Sequence, residues 1–309
     1  MIIRDATYNQ EDYIHDACLS IINQDYDSPI EIVISDDNST DNTFLILKKI
    51  IDDYTGIHVI KLNKNPENLG LIGNINKAVS LTQGELIIYA AGDDIAYKHR
   101  VKTLVAHYMQ QSNKNKIYLV HSCIKKIDHN SKYLSVVLPP ITIRNPSCSQ
   151  MVDQFALVIG ATCLWHRDLF NVFGPIKYKN AFEDLVLAFR AALLNEYKGN
   201  YYIHDILVKY RVGGISDSKK PKDRLNRKKY EIKRSSLLLD VSKQRYDDAK
   251  LIGANHLLPM IEKYITVQEI QLKIYRREIS FLEALKYGLN NKCLKSIFKP
   301  YSRILRRVV

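Results

Sequence analysis

Two aspartate pairs, Asp36-Asp37 and Asp93-Asp94, each follow directly on an apolar run: Ile30-Glu31-Ile32-Val33-Ile34-Ser35 before the first, Glu85-Leu86-Ile87-Ile88-Tyr89-Ala90-Ala91 before the second. Carboxylates gathered in one place repel each other, and a divalent cation or the hydrogen-bond donors of a ligand relieve that repulsion. A nucleotide diphosphate bound through Mg²⁺ or Mn²⁺ supplies both. Aspartate pairs also start helices, and Asp36-Asp37-Asn38-Ser39-Thr40-Asp41 is compatible with that plainer role. A third acidic pair, Glu183-Asp184, opens an apolar helical pattern through Leu185, Leu187, Ala188 and Ala191. A helix dipole stabilises a carboxylate at that end, where acids are also ordinary without any function.

For the aspartates to converge, the runs that carry them must be parallel neighbours in one sheet. The β-branched composition predicts buried strands, and a third strand, Met1-Ile2-Ile3, leads to Ala6-Thr7-Tyr8-Asn9. Helical spacing over 11–24, with Asn9 as its N-cap, over 41–54 and over 70–81 supplies the crossovers. A short strand, Ile57-His58-Val59-Ile60, lies between the second and third of these helices. Alternating strands and helices of this length make a parallel α/β layer with helices on both faces. Ligands bind such sheets beyond the carboxyl ends of the strands. Thr7, Tyr8, Asn9, Asp36, Asp37, Asp93 and Asp94 are therefore expected to share one crevice. Farther on, a helix over 98–111 and strands over 116–121 and 132–138 imply a mixed second half. No Gly-x-Gly-x-x-Gly follows the first strand and no Gly-x-x-x-x-Gly-Lys-Ser/Thr occurs, which argues against dinucleotide dehydrogenases and P-loop enzymes.

Of the 309 residues, 46% are hydrophobic and 25% charged, the balance of a globular protein. Charge is unevenly spread. Residues 1–218 hold 22 Lys+Arg against 24 Asp+Glu, whereas residues 219–309 hold 23 against 9. The five cysteines are scattered, with no Cys-x-x-Cys spacing, and read as reduced thiols of a cytosolic protein. No apolar run reaches the length of a membrane span, and Arg4 and Asp5 stand where a signal peptide needs apolar residues.

Taken in order and spacing, Ala6-Thr7-Tyr8-Asn9, Asp36-Asp37-Asn38-Ser39-Thr40-Asp41, Asn68-Leu69-Gly70, Gly92-Asp93-Asp94 and Phe182-Glu183-Asp184 resemble the family 2 glycosyltransferases. Tyr210-Arg211-Val212-Gly213-Gly214-Ile215-Ser216 is similar to the closing segment of such enzymes. The resemblance implies an inverting glycosyltransferase with an A-type fold: an α/β protein with one Rossmann-like mixed sheet, helices on both faces, and here a basic helical C-terminal extension. It implies a catalytic domain over 1–216, with a nucleotide-sugar half (1–97) and an acceptor half (98–216), followed by helical residues 217–309. Thr7, Tyr8 and Asn9 would line the base and ribose pocket, with Asn68 and Gly70 beside it, and Asp37 would hydrogen-bond the base. Asp93 and Asp94 would hold Mn²⁺ or Mg²⁺ bridging the donor diphosphate, although Ala91 stands where many members have another aspartate. Asp184, with Glu183 beside it, would be the catalytic base. Arg211 with Gly213-Gly214 is a lid candidate that would bring a guanidinium to the diphosphate. UDP is the favoured carrier and a lipid-linked glycan of a surface polysaccharide the favoured acceptor. Trp165 could stack on an acceptor sugar or sit in the core.

The C-terminal stretch places Leu294, Ile297, Phe298, Tyr301, Ile304, Leu305 and Val308 at steps of three and four, edged by Lys295, Lys299, Arg303, Arg306 and Arg307. Such a stripe suits a helix lying on an anionic membrane, which implies a peripheral position at the cytoplasmic face of the inner membrane. It also suits packing on the catalytic domain or on a second subunit, as in a homodimer. Two other functional classes stay open on the residues alone. A nucleotidyltransferase could use a similar acid pair but would want a Gly-rich basic loop after the first strand. Nucleic-acid binding would explain the basic tail, but no aromatic stacking platform accompanies it, so no nucleic-acid partner is expected.

Overall fold

The structure, a computed structural model, describes residues 2–113, 116–138, 146–153, 158–196, 198–213, 224–290 and Ile297. The first half runs β1 (Ile2–Thr7), α1 (Ile14–Ile22), β2 (Glu31–Asp36), α2 (Thr43–Asp52), β3 (Val59–Lys64), α3 (Gly70–Ser80) and β4 (Leu86–Ala91). The second half adds β5 (Ile95–Ala96), α4 (Arg100–Ser112), β6 (Leu119–Ile127), β7 (Tyr133–Val137), α5 (Cys148–Asp153), β8 (Leu164–His166), α6 (Asp168–Asn171), α7 (Glu183–Leu194) and β9 (Asn200–Arg211). The nine described strands form one sheet in the order β3-β2-β1-β4-β8-β6-β9-β5, with β7 pairing β6. β3, β2, β1 and β4 are parallel, β8 is antiparallel to both β4 and β6, and β9 is parallel to β6.

Burial on both faces explains the apolar runs. In β2, Ile32 and Ile34 pack into a cluster with Ile14, Cys18 and Ile21 of α1, Leu47 of α2 and Val101 and Leu104 of α4. Val33 alternates to the other side, and α3 packs on β1 and β2 through its own buried Ile72, Ile75 and Val79. A fully buried side chain of this size contributes about 1.5–3 kcal/mol, and β4 is buried along Leu86–Ala90.

Several local expectations shift. The first strand continues through Arg4 and Asp5 to Thr7, because β1 is flanked by β2 and β4 and every residue from Ile2 to Thr7 is in register with β2. The third strand begins at Val59 and extends to Lys64, past the apolar stretch, because it is the sheet edge and half-exposed positions there accept polar side chains. Asn9 does not cap α1, which begins at Ile14 with Tyr13 in the cap position.

The chain divides into two compact units, residues 1–179 with 183–218, and residues 180–182 with 219–309. In the second unit α8 (Arg224–Leu251) packs on α9 (Leu258–Arg276), and α10 (Phe281–Asn290) follows. Val267, Ile270, Ile274, Ala284 and Ile297 form its apolar cluster. Of the basic C-terminal stripe only Ile297 is described; Leu294, Phe298, Tyr301, Ile304, Leu305 and Val308 lie outside the described residues. No helix among the described residues is long and apolar enough to cross a membrane.

Candidate active site

The carboxyl ends of β1, β2 and β4 lie side by side at one end of the sheet. The amide of Asp37 donates to the Thr7 carbonyl (2.9 Å), and the Asn65 amide donates to the Asp36 carbonyl (2.8 Å). Asn9 sits in the left-handed region (φ 51°), which asparagine tolerates, and Asn38 does the same at φ 60°. From there Asn9 Oδ1 accepts the Thr40 amide (2.9 Å), and the Asn9 amide donates to Ser39 Oγ (2.9 Å). The loops after β1 and β2 are thus laced into one wall, with Tyr8 exposed at its surface.

The first aspartate pair is committed to that wall. Asp36 is fully buried and accepts the amide (2.9 Å) and hydroxyl of Ser39. Asp37, 3% exposed, accepts Asn65 Nδ2 (2.8 Å) and the Leu69 amide (2.8 Å) on Oδ1 and the Gly70 amide (2.8 Å) on Oδ2. Its carboxylate therefore ties the Asn68-Leu69-Gly70 turn to the end of β2. Gly70 has φ +73°, a conformation that suits glycine, and Asn68 Oδ1 also accepts its amide (3.1 Å). A buried amide network continues behind Asp37: Asn65 Nδ2 also reaches Asn74 Oδ1 (3.0 Å), which accepts Ser35 Oγ (2.6 Å), while Asn74 Nδ2 donates to the Ser35 carbonyl (2.8 Å). Asn65 and Asn74 escape sequence reading because their partners are brought in from β2.

The second pair is held differently. A Cβ on Gly92 would stand 2.7 Å from Thr7 Oγ1, so only glycine lets this turn press against the end of β1. Asp94 is 6% exposed; its Oδ1 accepts the Arg211 amide (2.8 Å), whereas Oδ2 is buried without a hydrogen-bond partner. Burial raises the Asp94 carboxyl well above the usual carboxylate range and the adjacent Asp93 charge raises it further, against the Arg211 amide and the Arg100 and Arg211 guanidinium groups. Burial likewise raises Asp93, opposed by its own amide and by Arg211. Among the described residues no three His, Cys, Asp or Glu gather as a metal cage. Two adjacent carboxylates with one unsatisfied buried oxygen nevertheless fit a divalent cation whose remaining ligands come from a diphosphate.

Arg100, which no motif signals, is the buried cation beneath this pair. Its Nη2 donates to the Tyr89 and Ala161 carbonyls (2.6 Å each), and burial lowers its pKa to about 10. Through Ala161 it joins β4 to the 3-10 turn Gly160–Thr162, where the third acidic pair arrives. Glu183, 7% exposed, lies against that turn: a Cβ on Gly160 would stand 2.5 Å from its Oε1. Asp184 is more open, and its Oδ1 accepts the Leu185 amide (2.7 Å). The fully buried Cys163 thiol is pushed up by burial first and by the Asp184 and Glu183 charges next, and it also faces Arg100. The acids of α7 and those after β4 therefore act on one small region.

One expectation is corrected and one open choice is closed. Arg211 is not a mobile lid residue: it ends β9, is 4% exposed, and rests over the Tyr13 ring (4.4 Å). Its Nε donates to the Asp93 carbonyl (2.9 Å), Nη1 to the Asp128 (2.8 Å) and His129 (3.0 Å) carbonyls, and Nη2 to Ser131 Oγ (3.1 Å). With four of its five N–H groups on protein acceptors it is held as a fixed strut; Gly214 lies outside the described residues. Trp165 is fully buried and stacked on Tyr89 (centroids 5.3 Å apart), so it is a core residue and not a platform for an acceptor sugar.

A family model described as glycosyl transferase family 2 matches residues 6–165, just over half of the chain, and spans the walls and acid pairs after β1, β2 and β4. The chain belongs to glycosyl transferase family 2. An uncharacterized glycosyltransferase of Haemophilus influenzae is 26% identical over 98% of this chain and 95% of its own length. A Campylobacter jejuni relative named GalNAc(5)-diNAcBac-PP-undecaprenol beta-1,3-glucosyltransferase is 30% identical over 40% of this chain, a match spanning 38% of that enzyme's length. The fold is shared with S. aureus TarS in complex with UDP-GlcNAc (TM-score 0.56, 16% identity, 96% of this chain and 78% of that one). It is also shared with a Pyrobaculum calidifontis mannosyltransferase in complex with GDP-Man and Mn²⁺ (TM-score 0.55, 16% identity, 98% and 81%). The mixed α/β sheet flanked by helices is thus that of the A-type glycosyltransferases.

Proposed function

We propose that this family 2 member transfers a sugar, with inversion, from a nucleotide diphosphate sugar to a hydroxyl of a lipid-linked glycan during surface polysaccharide synthesis at the cytoplasmic face of a membrane. The observation that carries the reading is the buried, unsatisfied Asp94 Oδ2 beside Asp93 at the end of β4, an acceptor that a cation and diphosphate complete. UDP is the first choice of carrier. A UDP-GlcNAc complex and a GDP-Man complex among proteins of this fold support a nucleotide-sugar donor, and the lipid-linked substrate in the name of the Campylobacter relative supports the acceptor class.

In this reading Thr7, Tyr8 and Asn9 bound the base and ribose pocket with Asn68 and Gly70. Asp37 shapes that pocket through Leu69 and Gly70 and offers the base the lone pair left on Oδ2. Asp93 and Asp94 hold Mn²⁺ or Mg²⁺, which when bound offsets the charge of the leaving diphosphate as a Lewis acid. Asp184 takes the proton of the acceptor hydroxyl as its oxygen forms the bond to the anomeric carbon, and the electron pair of the broken anomeric C–O bond leaves with the diphosphate. Glu183, buried against Gly160, keeps the α7 N-terminus acidic and in place. Arg211 braces the Asp93–Asp94 turn from behind.

Replacement Asp184→Asn tests the assignment of the base. Removing a general base lowers turnover by about 10²–10⁴-fold. Measured on the full chain with a matched donor and acceptor, kcat should fall by that much while nucleotide affinity stays unchanged. Full activity in the variant would remove Asp184 from the chemistry.

A further inference from the structure

Among the described residues β7 pairs only with β6, which leaves its outer edge unpaired by any of them. The side chains along it and just past its end are unusual for such an edge: Tyr133 is 54% exposed, Leu134 49%, Val136 41% and, after the strand, Leu138 54%. Natural proteins blunt open edges with charge or proline, because an apolar edge otherwise recruits a partner. Cations flank the apolar group. Lys125 lies opposite Val136 in the β6–β7 register and reaches over the Tyr133 ring (4.9 Å), and Lys209 of β9 lies opposite Lys125. The hairpin is also fixed to the site. Arg211 binds the Asp128 and His129 carbonyls and Ser131 Oγ of its turn with one end of the guanidinium and the Asp93 carbonyl with the other.

Aliphatic and tyrosine side chains bordered by lysines match the interface of an anionic bilayer, where apolar groups enter the acyl boundary and cations meet headgroups. A second copy seated on the same face would bring the Lys125–Lys209 pairs of two molecules together, a like-charge arrangement that opposes association. We propose that the β6–β7 hairpin docks on an anionic membrane surface, with Tyr133, Leu134, Val136 and Leu138 entering the interface and Lys125 and Lys209 meeting the headgroups. Because Arg211 joins the hairpin turn to Asp93, docking there holds the acid crevice at the membrane, where a lipid-linked acceptor presents its sugar. The contact is additional to any made by the C-terminal stripe, and its purpose rests on the lipid-linked acceptor proposed above.

The test uses the full chain with Tyr133→Trp and vesicles of phosphatidylethanolamine and phosphatidylglycerol, plain or brominated. Trp165 is fully buried, so it serves as the internal reference for the new indole. The new emission should shift to the blue and be quenched by brominated lipid, with no such change on phosphatidylcholine. Leu134→Ser with Val136→Ser should weaken vesicle binding about tenfold or more, and Lys125→Gln about fivefold. Vesicle binding without quenching of the new indole would overturn the proposal by placing the contact elsewhere on the chain, and absence of binding would overturn it outright. A dimer in sedimentation velocity that Leu134→Ser dissociates, with vesicle binding unchanged, would assign the face to a second copy instead. Nucleotide binding measured without lipid separates this outcome from the donor-site reading: either can fail while the other stands.

Discussion

Arg211 shows how much a single side chain organises. Four donor contacts and a ring face are spent on holding Asp93, the turn at 128–131 and Tyr13 in one arrangement, while its amide donates to Asp94 Oδ1. Removing the guanidinium leaves those part-buried acceptors without their donors. Arg211→Ala should therefore cost about 3 kcal/mol, read as a lowered urea midpoint. His121 gives a pH signature at the same scale. It is buried in β6 with neither ring nitrogen hydrogen-bonded, and burial pushes its pKa down to about 3. The unfolded chain binds a proton there near the ordinary pKa of about 6.5 while the folded chain does not, so its contribution is complete above pH 6.5 and is lost as pH falls toward 3. Between pH 6.5 and 5 stability should drop by about 1 kcal/mol per pH unit from this group. The urea midpoint of wild type should fall relative to that of His121→Leu as pH drops across that window; a constant difference would show that the ring finds a partner. At this scale the two aspartate pairs are legible because each comes at the end of an apolar run, and Glu183-Asp184 because it opens an apolar helical pattern. Arg100, Asn65 and Asn74 were not, since their partners come from distant segments and leave no local spacing.

Among the elements, the parallel strands are legible and the mixed half only in part, through α4, the start of β6 and β7. β2 and β4 are buried on both faces, and continuous β-branched runs are what such strands require. β8 has three residues and takes its place through pairing with β4 and β6, and β9, twelve residues long, mixes tyrosine, histidine, aspartate and lysine because much of it is partly exposed. Neither carries a period that stands out from a loop. The sequence expectation of strand character at 132–138 is met by β7, whose apolar residues lie in the open rather than in a core. The junction of β4 with its acidic turn also belongs to this scale. Gly92 permits the close approach to Thr7, and a methyl group there meets Thr7 Oγ1 and Cβ, 2.7 and 2.9 Å from the added carbon. Gly92→Ala should cost about 1–3 kcal/mol through overpacking and loosen nucleotide binding, measured by urea unfolding and titration; wild-type values of both would mean that the turn has room to move.

Over the whole molecule, the walls after β1 and β2, the acidic turn after β4 and the α7 acids bound the proposed crevice on a single mixed sheet. The family match over residues 6–165 covers most of the parts from which that crevice is built. We propose that Asp93 and Asp94 complete a cation and nucleotide diphosphate site there. Ligand at about 100 times its dissociation constant stabilises a fold by roughly 2.7 kcal/mol, a shift of a few degrees in Tm. The most direct measurement is thermal unfolding of the full chain and of Asp94→Asn against UDP, GDP, dTDP and CDP, each with and without Mn²⁺. A Mn²⁺-dependent rise in Tm with one of these nucleotides, absent in Asp94→Asn, is the predicted result and would name the base. An equal rise in both proteins, or a rise indifferent to Mn²⁺, would contradict the assignment of Asp94 as a cation ligand.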